Sequence, residues 1–444
     1  MGETSELARI GHIAKAWRPL EKYGYIKRVV GMTLQARGTS ARVGQLCRLI
    51  GDDPSSELVM AEVVGFADNT MILLPLSELH GVKSGMRVQI APSTFRVPVG
   101  PALRGRILDG LGKPIDGGAP LQLHTRRNIY SLPPHPLTRL RVREPLELGV
   151  RCIDGMVTCG RGQRVGIFSG SGVGKSTLLG MIARSSTADV NVIGLIGERG
   201  REVRDFIEDQ LGEEGLAKSV VVVATSDQPP LLRIKAAQVA TTIAEFFRDR
   251  GDDVLLMMDS VTRFAMAQRE VGLAAGEPPT TRGYPPSVFS SLSALLERAG
   301  NSDRGTMTAF YSVLVEGDDM DEPITDAVRS ILDGHIQLSR TLAEEGHYPA
   351  VDVLRSVSRL MVDVVDDGHY QAAAYIKRLI AAYEDAKDLI RIGAYQRGAD
   401  PRVDEAVENM GDIRTFLNQD SRQRSSFAET RERLGILAKS AERD

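Results

Sequence analysis

The chain has 444 residues, with 55 Lys+Arg against 58 Asp+Glu, 42% hydrophobic and 5% aromatic residues; at about 150 residues per domain, that length suggests about three domains. A formal charge of −3 lacks the basic footprint that sequence-independent nucleic-acid binding requires, and so few aromatics exclude an extended base-stacking surface. No window approaches the roughly 20 uninterrupted apolar residues of a bilayer span. Residues 1–6 form neither a secretory signal nor a myristoylation motif. Cys47, Cys152 and Cys159 have neither paired nor metal-ligand spacing, so buried thiols in a reducing cytoplasm are expected, without zinc.

In chain order, residues 10–97 are short β-branched runs broken by Gly, Asp and Asn, such as those at 25–31 and 62–66, which predicts a small antiparallel barrel or sandwich. The stretch 105–117 is dense in turn formers, and Leu132-Pro133-Pro134-His135-Pro136 reads as an extended connector. Between about 162 and 340, continuous apolar strands at 164–168, 190–196, 220–223 and 254–258 alternate with helical segments. Strands apolar on both faces predict a parallel sheet covered by helices. After about Gly368 strands disappear, residues 370–395 have apolar positions at helical spacing, and two more charged helical stretches follow. The expected division is a terminal segment at 1–20, a β-barrel at 21–97, an α/β nucleotide-binding core at 98–367 and a helical domain at 368–444.

The strand at 165–168 runs into Ser169-Gly170-Ser171-Gly172-Val173-Gly174-Lys175-Ser176-Thr177, and a helical pattern follows from Leu178. Glycines let such a loop turn its N–H groups inward, the helix N-terminus adds positive dipole, Lys175 reaches the outer phosphates and Ser176 can ligate magnesium. Ser169 stands where this motif has its first glycine, a departure without effect if the backbone there needs no positive φ. Asp259 follows the strand at 254–258, at the edge where open α/β sheets collect ligands. It either orients the water shell of magnesium or caps the helix that begins around Ser260-Val261-Thr262. Another strand delivers Gly197-Glu198-Arg199-Gly200-Arg201-Glu202 to the same edge. A carboxylate there can polarise a water for in-line attack on a γ-phosphate, with Arg199 fixing neighbouring carboxylates or phosphate oxygens; alternatively the run is a solvated helix start.

These residues, in this order, resemble the catalytic family of rotary ATPases, which includes the ATP synthase catalytic subunit and the type III secretion ATPases. Residues 349–358, Pro-Ala-Val-Asp-Val-Leu-Arg-Ser-Val-Ser, match the family's signature decapeptide, and the resemblance covers most of the chain. Gly276-Glu277-Pro278-Pro279, Gly283-Tyr284-Pro285-Pro286, Leu332-Asp333-Gly334-His335-Ile336 and Gly393-Ala394-Tyr395-Gln396-Arg397-Gly398 read as the type III export group, the flagellar branch ahead of the virulence injectisome branch. The resemblance implies a RecA-like P-loop ATPase core with a parallel sheet, an N-terminal small β-barrel and a C-terminal helical domain. It implies ATP and Mg2+, with Gly170, Ser171, Gly172, Val173, Gly174, Lys175, Ser176 and Thr177 around the phosphates and Tyr348 stacked on adenine. Ser176 and Asp259 are the implied metal residues, and Lys175, Glu198, Arg199, Arg263 and Arg359 the implied catalytic set. Glu198 is base-like there, and Arg359 is a finger that reaches the nucleotide of a neighbouring subunit. Otherwise such arginines are solvated or ion-paired, and a Tyr beside Pro is core packing.

Glu198 and Arg359 lie on one chain here, whereas ATP synthase divides the two roles between gene products, so one polypeptide can build every site of a ring. The expectation is a homohexamer with heterologous, closing interfaces. The resemblance further implies ATP hydrolysis that energises protein export by a cytoplasmic chain docked peripherally, through partners, at a membrane-embedded export gate. Residues 368–444 would meet cargo, export chaperones and a coiled-coil stalk protein. Residues 1–20, with Leu7, Ile10, Ile13, Ala14 and Trp17 at helical spacings broken by Gly11, would form an amphipathic helix for a regulatory stator protein. No nucleic-acid partner is expected. An RNA-translocating ring helicase would need an aromatic and basic surface that residues 10–97 lack, a subunit that binds nucleotide without turnover would lack Glu198, and an ATP synthase catalytic subunit proper would need a partner carrying the finger.

Overall fold

The computed structural model describes residues 22–51, 59–315, 317 and 319–441, so the helix expected at 1–20 lies outside the described residues. The chain divides into two compact units between Phe95 and Arg96. In the first, β1 (Tyr23–Val30), β2 (Thr33–Arg37), β3 (Gln45–Ile50), β4 (Val59–Ala67), β5 (Thr70–Pro75) and β6 (Arg87–Thr94) close into a barrel in the order β1-β2-β5-β4-β3-β6. Ile26, Leu34, Cys47, Leu49, Val63 and Leu73 are buried in its core. Asp68 and Asn69 take φ of 45° and 59° between the paired Ala67 and Thr70, a two-residue hairpin that Asp and Asn tolerate. Register shifts interrupt the β1–β2, β3–β6 and β4–β5 pairings, irregularities of the kind that bend strands toward closure.

The second unit is built on an eight-stranded sheet. Its strands are β8 (Arg106–Asp109), β10 (Arg164–Ser169), β11 (Val190–Glu198), β12 (Ser219–Thr225), β13 (Asp253–Asp259), β14 (Thr306–Leu314), β15 (Gly334–Leu338) and β16 (Val351–Ser358), while β7 (Arg96–Val99) pairs with β9 (Thr125–Asn128). The order is β16-β15-β10-β14-β13-β11-β12-β8, parallel throughout except that β16 runs antiparallel to β15. β13 is buried along its whole length and β11 along all but its last residue, as strands covered on both faces must be. The turn-rich stretch 105–117 also contributes β8, which pairs with Val220–Val223 of β12. Asp116 fastens it by accepting from Arg106 Nε and Nη2 at 2.6 Å each and from the Ile107 N–H at 3.0 Å. Non-local pairing thus overrides the local turn chemistry.

The tail helices are Asp367–Arg391, Pro401–Leu417 and Phe427–Ala441. Ile376, Ile413, Phe416 and Leu434 of these helices belong to the same buried cluster as Ile153, Val165 and Leu178. The buried Arg151 stitches the two parts by donating to the carbonyls of Phe416 and Asn418. All three cysteines are free and buried. No described helix is long and apolar enough to cross a membrane.

Candidate functional site

β10 ends at Ser169 and a helix begins at Lys175, so the intervening loop sits at the carboxyl edge of the parallel sheet. Gly172 and Gly174 hold φ of 78° and 92°, a region that penalises side chains. Ser169 remains in the strand and is absent from the residues of positive φ, so replacing the motif's first glycine leaves the backbone unstrained. Gly174 precedes the helix Lys175–Ser185, whose free N–H groups and dipole favour an anion at that end.

Lys175 Nζ lies 2.5 Å from Asp259 Oδ1 and 3.6 Å from Glu198 Oε1. Burial pulls the ammonium toward neutrality, but Asp259 and Glu198 outweigh it and hold its pKa above the usual lysine value. Asp259 closes β13, and its Oδ1 also accepts the Ser312 hydroxyl of β14 at 2.6 Å; Oδ2 has no protein hydrogen bond among the described residues. The helix Val261–Ala275 is capped by Ser260, whose Oγ accepts the Arg263 N–H at 3.3 Å. Asp259 is therefore free of the capping duty.

Gly197, at φ 73°, takes the register shift between Ile196 and Glu198, and a bulge of this kind re-aims the side chain that follows. A Cβ on Gly197 would lie 2.8 Å from Cβ of Arg263, so glycine also permits the close approach of strand and helix. Burial first, and then Asp259, push the Glu198 carboxyl up to about 7, with Lys175 opposing and a hydrogen bond from Glu202 adding to the rise. Arg199 is 80% exposed at its side chain and stands 3.8 Å from Glu202, which gives it the solvated character of the alternative reading, yet it borders the same cleft.

That cleft, of about 280 Å³, is lined by Gly170 to Gly172 and Gly174 to Thr177 with Glu198, Arg199, Glu202, Ser260 and Arg263, while the Val173 side chain is buried in the core cluster instead. A second cleft of about 420 Å³ meets it at Gly174 and Thr177 and is walled by Tyr348, Pro349 and Asn418 to Ser421. Tyr348 is 45% exposed rather than core. Its carbonyl accepts the Gln419 N–H at 2.8 Å, and a Cβ on Gly174 would stand 3.5 Å from its ring.

Arg359 is not brought to this site. Because β16 is antiparallel, Tyr348 and Pro349 enter it beside the loop and Ser358 leaves it opposite Gly334. The Arg359 N–H donates to the Asp333 carbonyl, and the Asp333 N–H to the Arg164 carbonyl, at the start of β10. β10 has 6 residues, which separates Arg359 from the loop by about 17 Å. Sequence reasoning left Glu202, Ser260, Ser312 and the wall at Asn418 to Ser421 without roles. Glu202 was detectable as the carboxylate one helical turn past Glu198; Ser312, a buried residue within a strand, left no local signal.

The donor set fits a magnesium ion. Ser176, Asp259 Oδ2 and Glu198 offer hard oxygens beside a phosphate cradle, and among the described residues no three His, Cys, Asp or Glu form a protein cage, the arrangement expected where water and phosphate complete the shell.

Comparison with known proteins agrees with this geometry. The profile for the ATP synthase alpha/beta family, nucleotide-binding domain, matches residues 149–358, and that for the T3SS EscN ATPase C-terminal domain matches residues 365–435. The flagellum-specific ATP synthase of Bacillus subtilis is 52% identical over 399 residues, 90% of this chain and 91% of that protein. The type 3 secretion system ATPase of Xanthomonas euvesicatoria is 52% identical over 413 residues, 93% of each. The assembled ATPase EscN from the enteropathogenic E. coli type III secretion system superposes with a TM-score of 0.89 at 49% identity, covering 94% of this chain and 100% of that one. A second structure holds EscN in complex with its central stalk EscO, with a TM-score of 0.87.

Proposed function

The chain belongs to the ATP synthase alpha/beta family, in its type III secretion branch, and as a P-loop ATPase of that family, we propose, it hydrolyses ATP to energise type III export of flagellar components. The observation that carries this reading is the cluster of Lys175, Asp259 and Glu198 around one phosphate loop.

Adenine stacks on Tyr348 and the phosphates lie in the loop from Gly170 to Thr177. Lys175 exchanges Asp259 and Glu198 for the outer phosphate oxygens. Ser176 and Asp259 would hold magnesium, which would supply positive charge beside the phosphates. Glu198, released from its protonated state, orients the attacking water and accepts its proton. Arg199 and Arg263 balance phosphate charge from the cleft wall, and Arg359 of a neighbouring subunit meets charge that develops in the transition state.

A finger that cannot reach its own loop calls for a closed ring, and the assembled state of EscN supports a homohexamer. The EscO complex supports a central stalk partner, and we place a coiled-coil stalk at the helical tail. Export chaperones and cargo at 368–444, a stator protein at 1–20 and cytoplasmic docking at a membrane export gate complete the proposal. Subunits carrying Glu198→Gln and Arg359→Ala, each inactive alone, regain ATPase activity when mixed; no recovery at any ratio refutes trans completion. The virulence injectisome is the second reading, favoured by a Xanthomonas relative at the same 52% identity as the Bacillus one. Deleting the gene and scoring flagellar filaments against needle secretion separates the two.

A further inference from the structure

The corner that carries Arg359 is built more tightly than an exposed turn requires. Gln163, the residue before β10, is fully buried. Its Nε2 donates to the Ser358 hydroxyl at 3.1 Å and to the Asp333 carbonyl at 3.1 Å, while its Oε1 accepts the Gly160 N–H at 2.8 Å. Next to it, Arg164 grips the Asp333 carboxylate through Nε at 3.0 Å and Nη2 at 3.1 Å. That same Asp333 carbonyl accepts the Arg359 N–H at 3.0 Å. There is no slack: a Cβ on Gly334 would stand 2.5 Å from the Val357 carbonyl and 3.2 Å from Gln163 Nε2. The guanidinium beyond this corner is exposed, and among the described residues its one hydrogen bond is a 3.4 Å contact with the Arg329 carbonyl. A locked base thus carries a free head.

We propose that Gln163 is a positioning residue for Arg359. Its buried amide ties Ser358 and Asp333 together, fixes the direction in which the arginine leaves the sheet, and so serves the catalytic site of the adjacent subunit rather than its own. This rests on the finger role proposed for Arg359. Gln163 stands at the opposite end of β10 from the phosphate loop, so removing its amide leaves nucleotide binding by the same subunit intact while the finger drifts. A displacement of about 1 Å in a catalytic group costs on the order of 10²-fold in rate.

Three measurements test it. Gln163→Leu lowers kcat about 10²-fold with unchanged affinity for a fluorescent ADP analogue, and Ser358→Ala, which leaves β10 untouched, moves kcat the same way by less. Unchanged kcat in both variants overturns the proposal, as does a kcat loss matched by lost nucleotide affinity. In mixed assemblies, Gln163→Leu subunits supply a sound catalytic site and Glu198→Gln subunits a sound finger, so the mixture recovers activity above either parent. Mixing Gln163→Leu with Arg359→Ala gives no recovery, because both lack a working finger; recovery there puts the defect on the catalytic side and overturns the proposal. If Arg359→Ala with Glu198→Gln recovers but Gln163→Leu with Glu198→Gln does not, the positioning role alone fails. If neither recovers, the finger reading fails and takes this one with it.

Discussion

At the carboxyl edge of the sheet, Lys175 stands against Asp259 and Glu198, with Glu202 hydrogen-bonded behind, whereas near the opposite edge Arg298 and Glu245 form a closed pair. There Nε and Nη2 of Arg298 reach the two carboxylate oxygens at 2.8 and 2.7 Å, Nη2 also reaches Thr242 Oγ1, and Nη1 donates to the Ile129 carbonyl. Both side chains are about 5% exposed, at 5% and 4%. One edge gathers more acid than its lysine balances, an imbalance that an added cation would relieve; the other satisfies each charge internally and gains rigidity. The same sheet therefore keeps its reactive electrostatics at one end and its fixed geometry at the other.

Substitutions that exchange the behaviour of the two edges test this contrast. The largest effect is expected at Glu198→Gln, which lowers kcat by about 10² to 10⁴-fold without lowering the urea midpoint of unfolding, because it removes a carboxylate from a crowded acid cluster. A destabilised variant erases the distinction. Next comes Glu245→Ala, which strands a buried guanidinium and costs about 3–5 kcal/mol of unfolding free energy; Glu245→Leu combined with Arg298→Met recovers much of that loss. A cost near zero for the single change places the pair among surface bridges.

The smallest effect is a shift along the pH axis. Burial and Asp259 raise the Glu198 carboxyl to about 7, so the ionised fraction of the free enzyme falls about tenfold per unit below that value, and kcat/KM falls with it. Because the folded value lies above the unfolded one, this group's stability contribution is complete below about 4.5 and is lost as pH rises through about 7. Glu202→Gln removes a cause of the rise, so the kcat/KM inflection moves to lower pH. An unmoved or higher inflection detaches Glu202 from the cluster.

The parts of the molecule legible in the sequence are those whose signal is contiguous. The loop from Ser169 to Thr177 follows its strand and precedes its helix, and Glu198 and Asp259 stand at the ends of apolar runs. β8 was hidden because it is only 4 residues long and set among the turn formers Gly105, Gly110, Gly112 and Pro114, while its pairing partner β12 lies far along the chain. The wall at Asn418 to Ser421 reaches the cleft only once the tail helices join the core. Ser312 carries no chemistry of its own until the neighbouring strand sets Asp259 beside it. Gln163 stands just before the apolar run of β10 and carries no local signal, and its bond to Ser358 depends on the antiparallel return of β16.

β16 has Tyr348 three residues before its first residue and Arg359 directly after its last. In the proposed roles, one end touches the base in its own subunit and the other addresses the phosphates in the next, which makes the strand a gauge bar between two pockets of a ring. Its 8 residues set that gauge. Inserting two residues preserves the alternation of faces yet advances the finger by about 7 Å, so outward-facing positions along the bar are free to vary while its length is not.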